Sequence, residues 1–202
     1  MSKLLFLEDG HKYMLGGEEL PSVSEVCRFI SREIYSDLMQ RTVDLAAARG
    51  AKVHKATEVL DKYGSCEVTE DIAPYLQAYL RFRKEHSSTW ERIEYASHHP
   101  EGLYAGTLDR LGVVDGKRAI VDIKSTANID PAHRKLYTAQ LNLYRRMLPD
   151  AVDALYVLQL KKDGTYKLWP IDVEDALADA CLTLHAALKK RKRKKKGAPD
   201  NE

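Results

Sequence analysis

The sequence has no apolar run near the ~18 residues needed to cross a bilayer. Its first apolar cluster, Leu4-Leu5-Phe6-Leu7, falls short of the ~7 residues of a signal-peptide core. Cysteine is scarce. Cys27, Cys66 and Cys181 are odd in number, scattered, and contain no C-x-x-C pair. They cannot form a disulfide framework, and their spacing gives neither a zinc site nor a four-cysteine iron–sulfur cluster. Such usage suits a reducing cytoplasm. With 11 glycines and 7 prolines the chain is not of low complexity. Positive charge is also scarce outside one stretch. The 32 basic and 30 acidic residues give a net +2, yet Lys189 to Lys196 are all basic. Without those eight, 24 basic face 30 acidic residues, a net −6.

What remains is ample for folding. The 202 residues are 44% hydrophobic and 31% charged, enough for one core-bearing domain. We expect one domain over 1–188 and a basic tail over 189–202. Such a run repels itself and is expected to be flexible in isolation. It could dock on phosphates, act as a solubilising tail, or prolong a final helix into solvent.

The chain opens with a hairpin over 3–15, turning at Asp9-Gly10. Ser22, with Glu25 three residues on, marks a helix start. Helical patterns cover 37–62, ending at Gly64, and 70–86, entered near Pro74. Residues 91–98, 103–114 and 117–124 alternate as strands. A helix over 132–148 follows, then strands over 154–161 and 165–171, and a helix over 174–190. This order predicts an α/β fold, with a mixed central sheet flanked by helices.

The informative segment is the pair of strands around Asp115-Gly116, a composition suited to a two-residue type I′ turn. With that turn Val114 faces Lys117, and the register places Asp109 opposite Asp122 and Thr107 opposite Lys124. Alternation puts Asp122 and Lys124 on one face. An Asp-x-Lys triplet alone is usually a solvated face. Two facing carboxylates repel each other, so in a partly buried place one must protonate or a cation must bridge them. Carboxylate and carbonyl oxygens suit Mg²⁺ or Mn²⁺.

Gly106-Thr107-Leu108-Asp109 followed by Val121-Asp122-Ile123-Lys124 resembles the PD-(D/E)XK nuclease superfamily, without the proline of its name. Gly50-x-x-x-His54 and Gln140-x-x-x-Tyr144 are similar to two motifs of its RecB-like branch. His11-x-Tyr13 and Leu20-Pro21-Ser22-Val23-Ser24 are similar to phage-encoded members. The likeness spans roughly residues 5–172. It implies a restriction-endonuclease-like core and metal-dependent hydrolysis of DNA phosphodiesters. In that likeness Asp109, Asp122 and Lys124 are catalytic. His54, Asp109, Asp122 and the Ile123 carbonyl hold Mg²⁺ or Mn²⁺, with Glu94 a further candidate ligand. Gln140 and Tyr144 touch the substrate, and no iron–sulfur cluster is expected.

The residues keep other readings open. A single helical histidine is more often a satisfied or surface residue than a ligand, so the role of His54 comes from the resemblance. Tyr137, Gln140 and Tyr144 share a helix face that Leu136, Leu143 and Met147 could simply make core. Ser125, Thr126 and Arg134 could bind phosphate, or serve the loop after the strand. The expectation is a phage-type exonuclease of DNA recombination, repair or processing in the bacterial cytoplasm. Its partners would be DNA ends and a single-strand annealing or binding protein, with no membrane. A structure-selective or site-specific endonuclease, or a catalytically silent nucleic-acid-binding module, is the alternative.

Overall fold

A computed structural model describes residues 3–7, 9–35 and 39–196, with side chains through Lys189. The opening hairpin forms as expected. β1 (Leu4–Leu7) pairs with β2 (Lys12–Leu15), and a short β3 (Glu18–Leu20), not anticipated from sequence, completes an antiparallel three-stranded sheet. Ser22 caps α1 (Val23–Val26), its Oγ accepting the Glu25 N–H at 3.0 Å. α2 (Arg28–Tyr35) and α3 (Gln40–Tyr63) follow. Gly64 ends α3 in the left-handed region at φ +79, its N–H bonded to the Leu60 carbonyl, as a helix-closing glycine does. α4 (Ala73–Glu85) has Pro74 in its first turn.

The main sheet runs in the order β4 (Ser88–His98), β5 (Ala105–Val114), β6 (Lys117–Lys124), β7 (Ala154–Leu160), β8 (Tyr166–Ile171). All neighbours are antiparallel except β6 and β7. That parallel pair needs a long crossover, which α5 (Pro131–Arg145) supplies, capped by Asp130. The fold is therefore a mixed sheet flanked by helices. Asp115 and Gly116 both take positive φ, +47 and +79, and Val114 pairs with Lys117. This is the type I′ geometry read from the sequence.

Strand alternation divides the interior in two. Leu111, Ile120, Leu155 and Val157 pack with α1, α5 and α6. Val114, Val121, Ile123 and Leu158 pack with Val53 of α3 and with Leu76, Tyr79 and Phe82 of α4. α6 (Asp175–Lys196) carries the backbone of the basic run as helix.

One charged side chain crosses the second interior. Arg110 on β5 is fully buried. Its Nε donates to Asp61 Oδ2 at 2.7 Å, and Asp61, from α3, also accepts the Tyr79 hydroxyl at 2.5 Å and pairs with Arg83. Removing one partner of a buried ion pair strands the other. Asp61→Ala should therefore lower stability by about 3–5 kcal/mol, read as a drop in urea midpoint, whereas an exposed i,i+4 pair such as Arg81–Glu85 should cost under about 1 kcal/mol when broken.

Candidate active site

The ladder between β5 and β6 follows the expected register from Val114↔Lys117 to Arg110↔Val121 and stops there. Asp109 and Asp122 would be the next pair. Instead of standing as a simple cross-strand couple, Asp109 accepts the Ile123 N–H on Oδ2 at 2.6 Å. On the other flank, β4 and β5 pair at Ile93↔Arg110 and Tyr95↔Leu108, so the count puts Glu94 opposite Asp109. Glu94 takes φ +49, a strained conformation for a non-glycine residue, and the ladder skips it. Glu94, Asp109 and Asp122 thus occupy adjacent positions on three neighbouring strands.

Each acid has a cation. His54 on α3 brings Nδ1 to 3.4 Å from Asp109 Oδ1 and 3.9 Å from Glu94 Oε1. Arg110 Nη1 reaches Glu94 Oε1 at 3.2 Å, and Lys124 Nζ lies 2.8 Å from Asp122 Oδ2. The bare repulsion expected from sequence is therefore offset within the protein. Ligand atoms of His54, Glu94 and Asp109 lie within 4.8 Å of one another, so this trio could hold a metal ion. Glu94, the least certain sequence candidate, is in that trio, and Asp122 is not.

The electrostatics follow from these contacts. Burial alone would lower His54, but the charge and hydrogen bond of Asp109, with Glu94, raise it to about 10. Burial would raise Asp109, but His54, Lys124 and the Ile123 N–H hold it at about 2. Asp122 is pushed up by burial and by Asp109, against the pull of Lys124. Lys124 is raised: burial opposes its charge, and Asp122 and Asp109 more than restore it.

A cavity of about 690 Å³ opens over the trio, bordered also by Tyr13, Glu58 and Tyr144. Glu58, one turn from His54, is bonded to Lys62 at 2.6 Å and Lys55 at 3.1 Å. Asp122, Lys124, Gln140, Ser125 and Thr126 do not line this cavity. Tyr144 and Tyr137 both belong to the first interior, as the amphipathic reading of α5 allowed, and only Tyr144 also borders the cavity. The Tyr144 ring lies on Gly106, where a Cβ would meet its Cε1 at 2.7 Å. Gln140 has a buried Oε1 without a hydrogen-bond partner among the described residues. The Thr126 hydroxyl donates to the Asn128 carbonyl at 3.2 Å, and Gln159 Nε2 holds the Thr126 and Ala127 carbonyls at 3.1 Å. Ser125 faces Gly50, whose added Cβ would stand 3.8 Å from the Ser125 Oγ, an ordinary contact that enforces no close approach.

Sequence reasoning missed Asp61, Arg110 and Thr107. A signal existed for the first two. Asp61 is seven residues beyond His54, on the same helical stripe, and Arg110 is the strand neighbour of Asp109, both reaching groups of α3.

His54 sets a pH dependence for the metal-free protein. A histidine raised from 6.5 to about 10 contributes stability that is complete below about 6.5 and lost as pH rises through about 10. In EDTA, melting temperature should fall across that window, and His54→Gln should flatten the fall. Gly50→Ala should be neutral or raise stability by up to about 1 kcal/mol, since its Cβ has room and glycine is a poor helix former; denaturant titration checks this.

No protein-family model and no curated protein matches the sequence. Among solved structures the chain is similar to LHK-Exo, an alkaline exonuclease from Laribacter hongkongensis, at 17% identity over 86% of this chain and 91% of that one, with a TM-score of 0.41. It is similar to LHK-Exo in complex with dAMP at 14% identity over 86% and 89% of the two chains, with a TM-score of 0.44.

Proposed function

We propose that this chain is a metal-dependent deoxyribonuclease that hydrolyses phosphodiester bonds from DNA ends. One observation carries the reading. Glu94, Asp109 and the Asp122–Lys124 pair meet where the β5–β6 ladder stops, with His54 beside them from α3. The resemblance of the same residues to the PD-(D/E)XK pattern agrees with it.

The donor set fits a divalent cation. It offers two carboxylates and an imidazole at mutual reach, and the metal-free chain needs a proton on His54 to balance them. His54, Glu94 and Asp109 would hold Mg²⁺ or Mn²⁺, with Asp122 and the Ile123 carbonyl as the further ligands inferred from sequence. Bound there, the cation would polarise a phosphate oxygen and acidify a water.

The protein's own groups do the rest. The Ile123 N–H and His54 fix the Asp109 carboxylate in one orientation. Arg110 fixes Glu94 from the buried side and is itself held by Asp61, the kind of outer support that orients ligands. Lys124 stays an ammonium because Asp122 and Asp109 favour its charge. Paired with Asp122 as an ion, its ammonium donors serve the attacking water and the charge that gathers on the phosphate oxygens. Tyr144 stays a neutral phenol, raised by burial and by Asp122 and Asp109, so it can hydrogen-bond or stack but does not act as a phenolate. The basic run that ends α6 would add sequence-independent phosphate contacts outside the site.

The deciding experiment is digestion of end-labelled linear DNA and of closed circular DNA with Mg²⁺, Mn²⁺ or EDTA. Linear DNA should be degraded from its ends with metal, and the circle spared. Asp122→Asn should abolish cleavage. Lys124→Ala should lower the rate roughly 100-fold or more and leave DNA affinity within about threefold, since one lysine is a small part of a multi-phosphate contact. Cleavage in EDTA, or wild-type rates in Asp122→Asn, would sink the assignment. Nicking of the circle would favour the endonuclease.

A further inference from the structure

The three-stranded sheet contributes no group to the acid trio, yet it walls the same cavity. Phe6 of β1, His11 of the turn and Tyr13 of β2 line it together with Glu94 and Asp109. Their rings form a compact set. Phe6 and His11 meet edge-on with centroids 5.0 Å apart, Phe6 and Tyr13 lie 4.9 Å apart at 31°, and His11 and Tyr13 lie 5.6 Å apart at 88°. None of the three belongs to either hydrophobic interior. Phe6 is only half-buried and His11 is exposed. His11 also holds φ +50, a conformation uncommon outside glycine. Tyr13 is buried, but burial of apolar surface does not account for Phe6 and His11.

The wall is fixed relative to the carboxylates. Tyr13 is 1% exposed, and its hydroxyl is bonded to Thr107 Oγ1 at 2.9 Å and to His11 Nε2 at 3.3 Å. Thr107 lies on β5, two residues before Asp109. The Ala105 N–H on the same strand donates to the Pro21 carbonyl at 3.0 Å. The first sheet is thus pinned to the strand that bears the central acid, through its middle strand and through the residue that follows β3. The cavity's volume of about 690 Å³ falls within the ~300–1,000 Å³ of small-molecule sites.

We propose that Phe6 and His11, backed by Tyr13, form a stacking wall for an unpaired nucleobase attached to the phosphate that reacts at the acid trio. This rests on the nuclease reading and narrows its substrate to single-stranded or frayed ends. The chemistry favours a base over other occupants. Carboxylates and aromatic rings line the same cavity, which suits a ligand that joins a phosphate, met through a cation, to a flat π-system. Aromatic side chains stack bases without regard to sequence. Within an intact duplex the base faces are covered by their neighbours, so any base inside the outermost pair must unpair and unstack to use the wall.

Equilibrium binding tests this without hydrolysis. Fluorescence anisotropy with Ca²⁺, which takes oxygen ligands, in place of Mg²⁺ or Mn²⁺ would compare a single-stranded oligonucleotide, the same strand with one abasic residue at successive positions from its end, and a blunt duplex. Wild type should bind the strand abasic at one near-terminal position roughly 5- to 100-fold more weakly than the intact strand. Phe6→Leu, which keeps apolar bulk and removes the ring, should bind both alike with an unchanged melting temperature. Phe6→Trp should preserve the discrimination. Equal binding of intact and abasic strands by wild type, or discrimination retained by Phe6→Leu, would overturn the wall. The same preparations with Mn²⁺ report on the nuclease reading separately. Cleavage without base discrimination removes the wall and keeps the nuclease, and base discrimination without cleavage does the reverse.

Discussion

Everything at the candidate site depends on how one buried carboxylate is satisfied. Asp109 lies in the middle strand of three, and an ionised carboxylate there is costly unless charge and hydrogen bonds meet it. It is met from two directions, by the Ile123 N–H of β6 and by His54 of α3. The first bond accompanies the end of the β5–β6 ladder. The second sets where α3 must run, because a helix displaced by one turn would withdraw the imidazole. Arg110 closes the set from below by tying Glu94 to Asp61 on the same helix. The helix and the sheet are therefore joined by charge at the site and by apolar packing further along, through Val53 and Ala56.

Much of this was legible in the sequence. The Asp115-Gly116 turn fixed the hairpin register, because both positions need positive φ and the side-chain period of a strand allows no slip. Gly64, Ser22 and Pro74 marked helix ends for equally local reasons. Asp122 and Lys124 could be placed together because they are two residues apart on one strand. The failures have a common cause. The turn predicted a continuous ladder to Asp109, but whether a ladder continues depends on what the carboxylate can reach across the sheet, and a local register does not contain that. β3 was too short to show a period. Arg110 reads as one more charge on a strand until α3 supplies Asp61 as its partner.

Glycine placement shows how the two kinds of information differ. Gly106, Gly64 and Gly50 are equally conspicuous in the sequence. Gly64 needs its left-handed backbone. Gly106 needs its missing Cβ, because Tyr144 and Val23 press on it from α5 and α1. Gly50 needs neither. The requirement at Gly106 couples the first residues of β5 to the helix that joins β6 to β7, and so keeps the cavity's Tyr144 border in place.

The hairpin β5–β6 also bears on the order of assembly. It is the most local pairing of the main sheet, closed by a turn that forms on a microsecond scale, whereas His54 and the parallel β6–β7 pair arrive through distant contacts that are slower to close. The two acids are therefore brought near each other before the histidine that balances Asp109 can reach them. Lys124 resides on the same hairpin, beside Asp122. The segment carries its own countercharge, and can pass through the early, half-built chain without waiting for α3 to neutralise it.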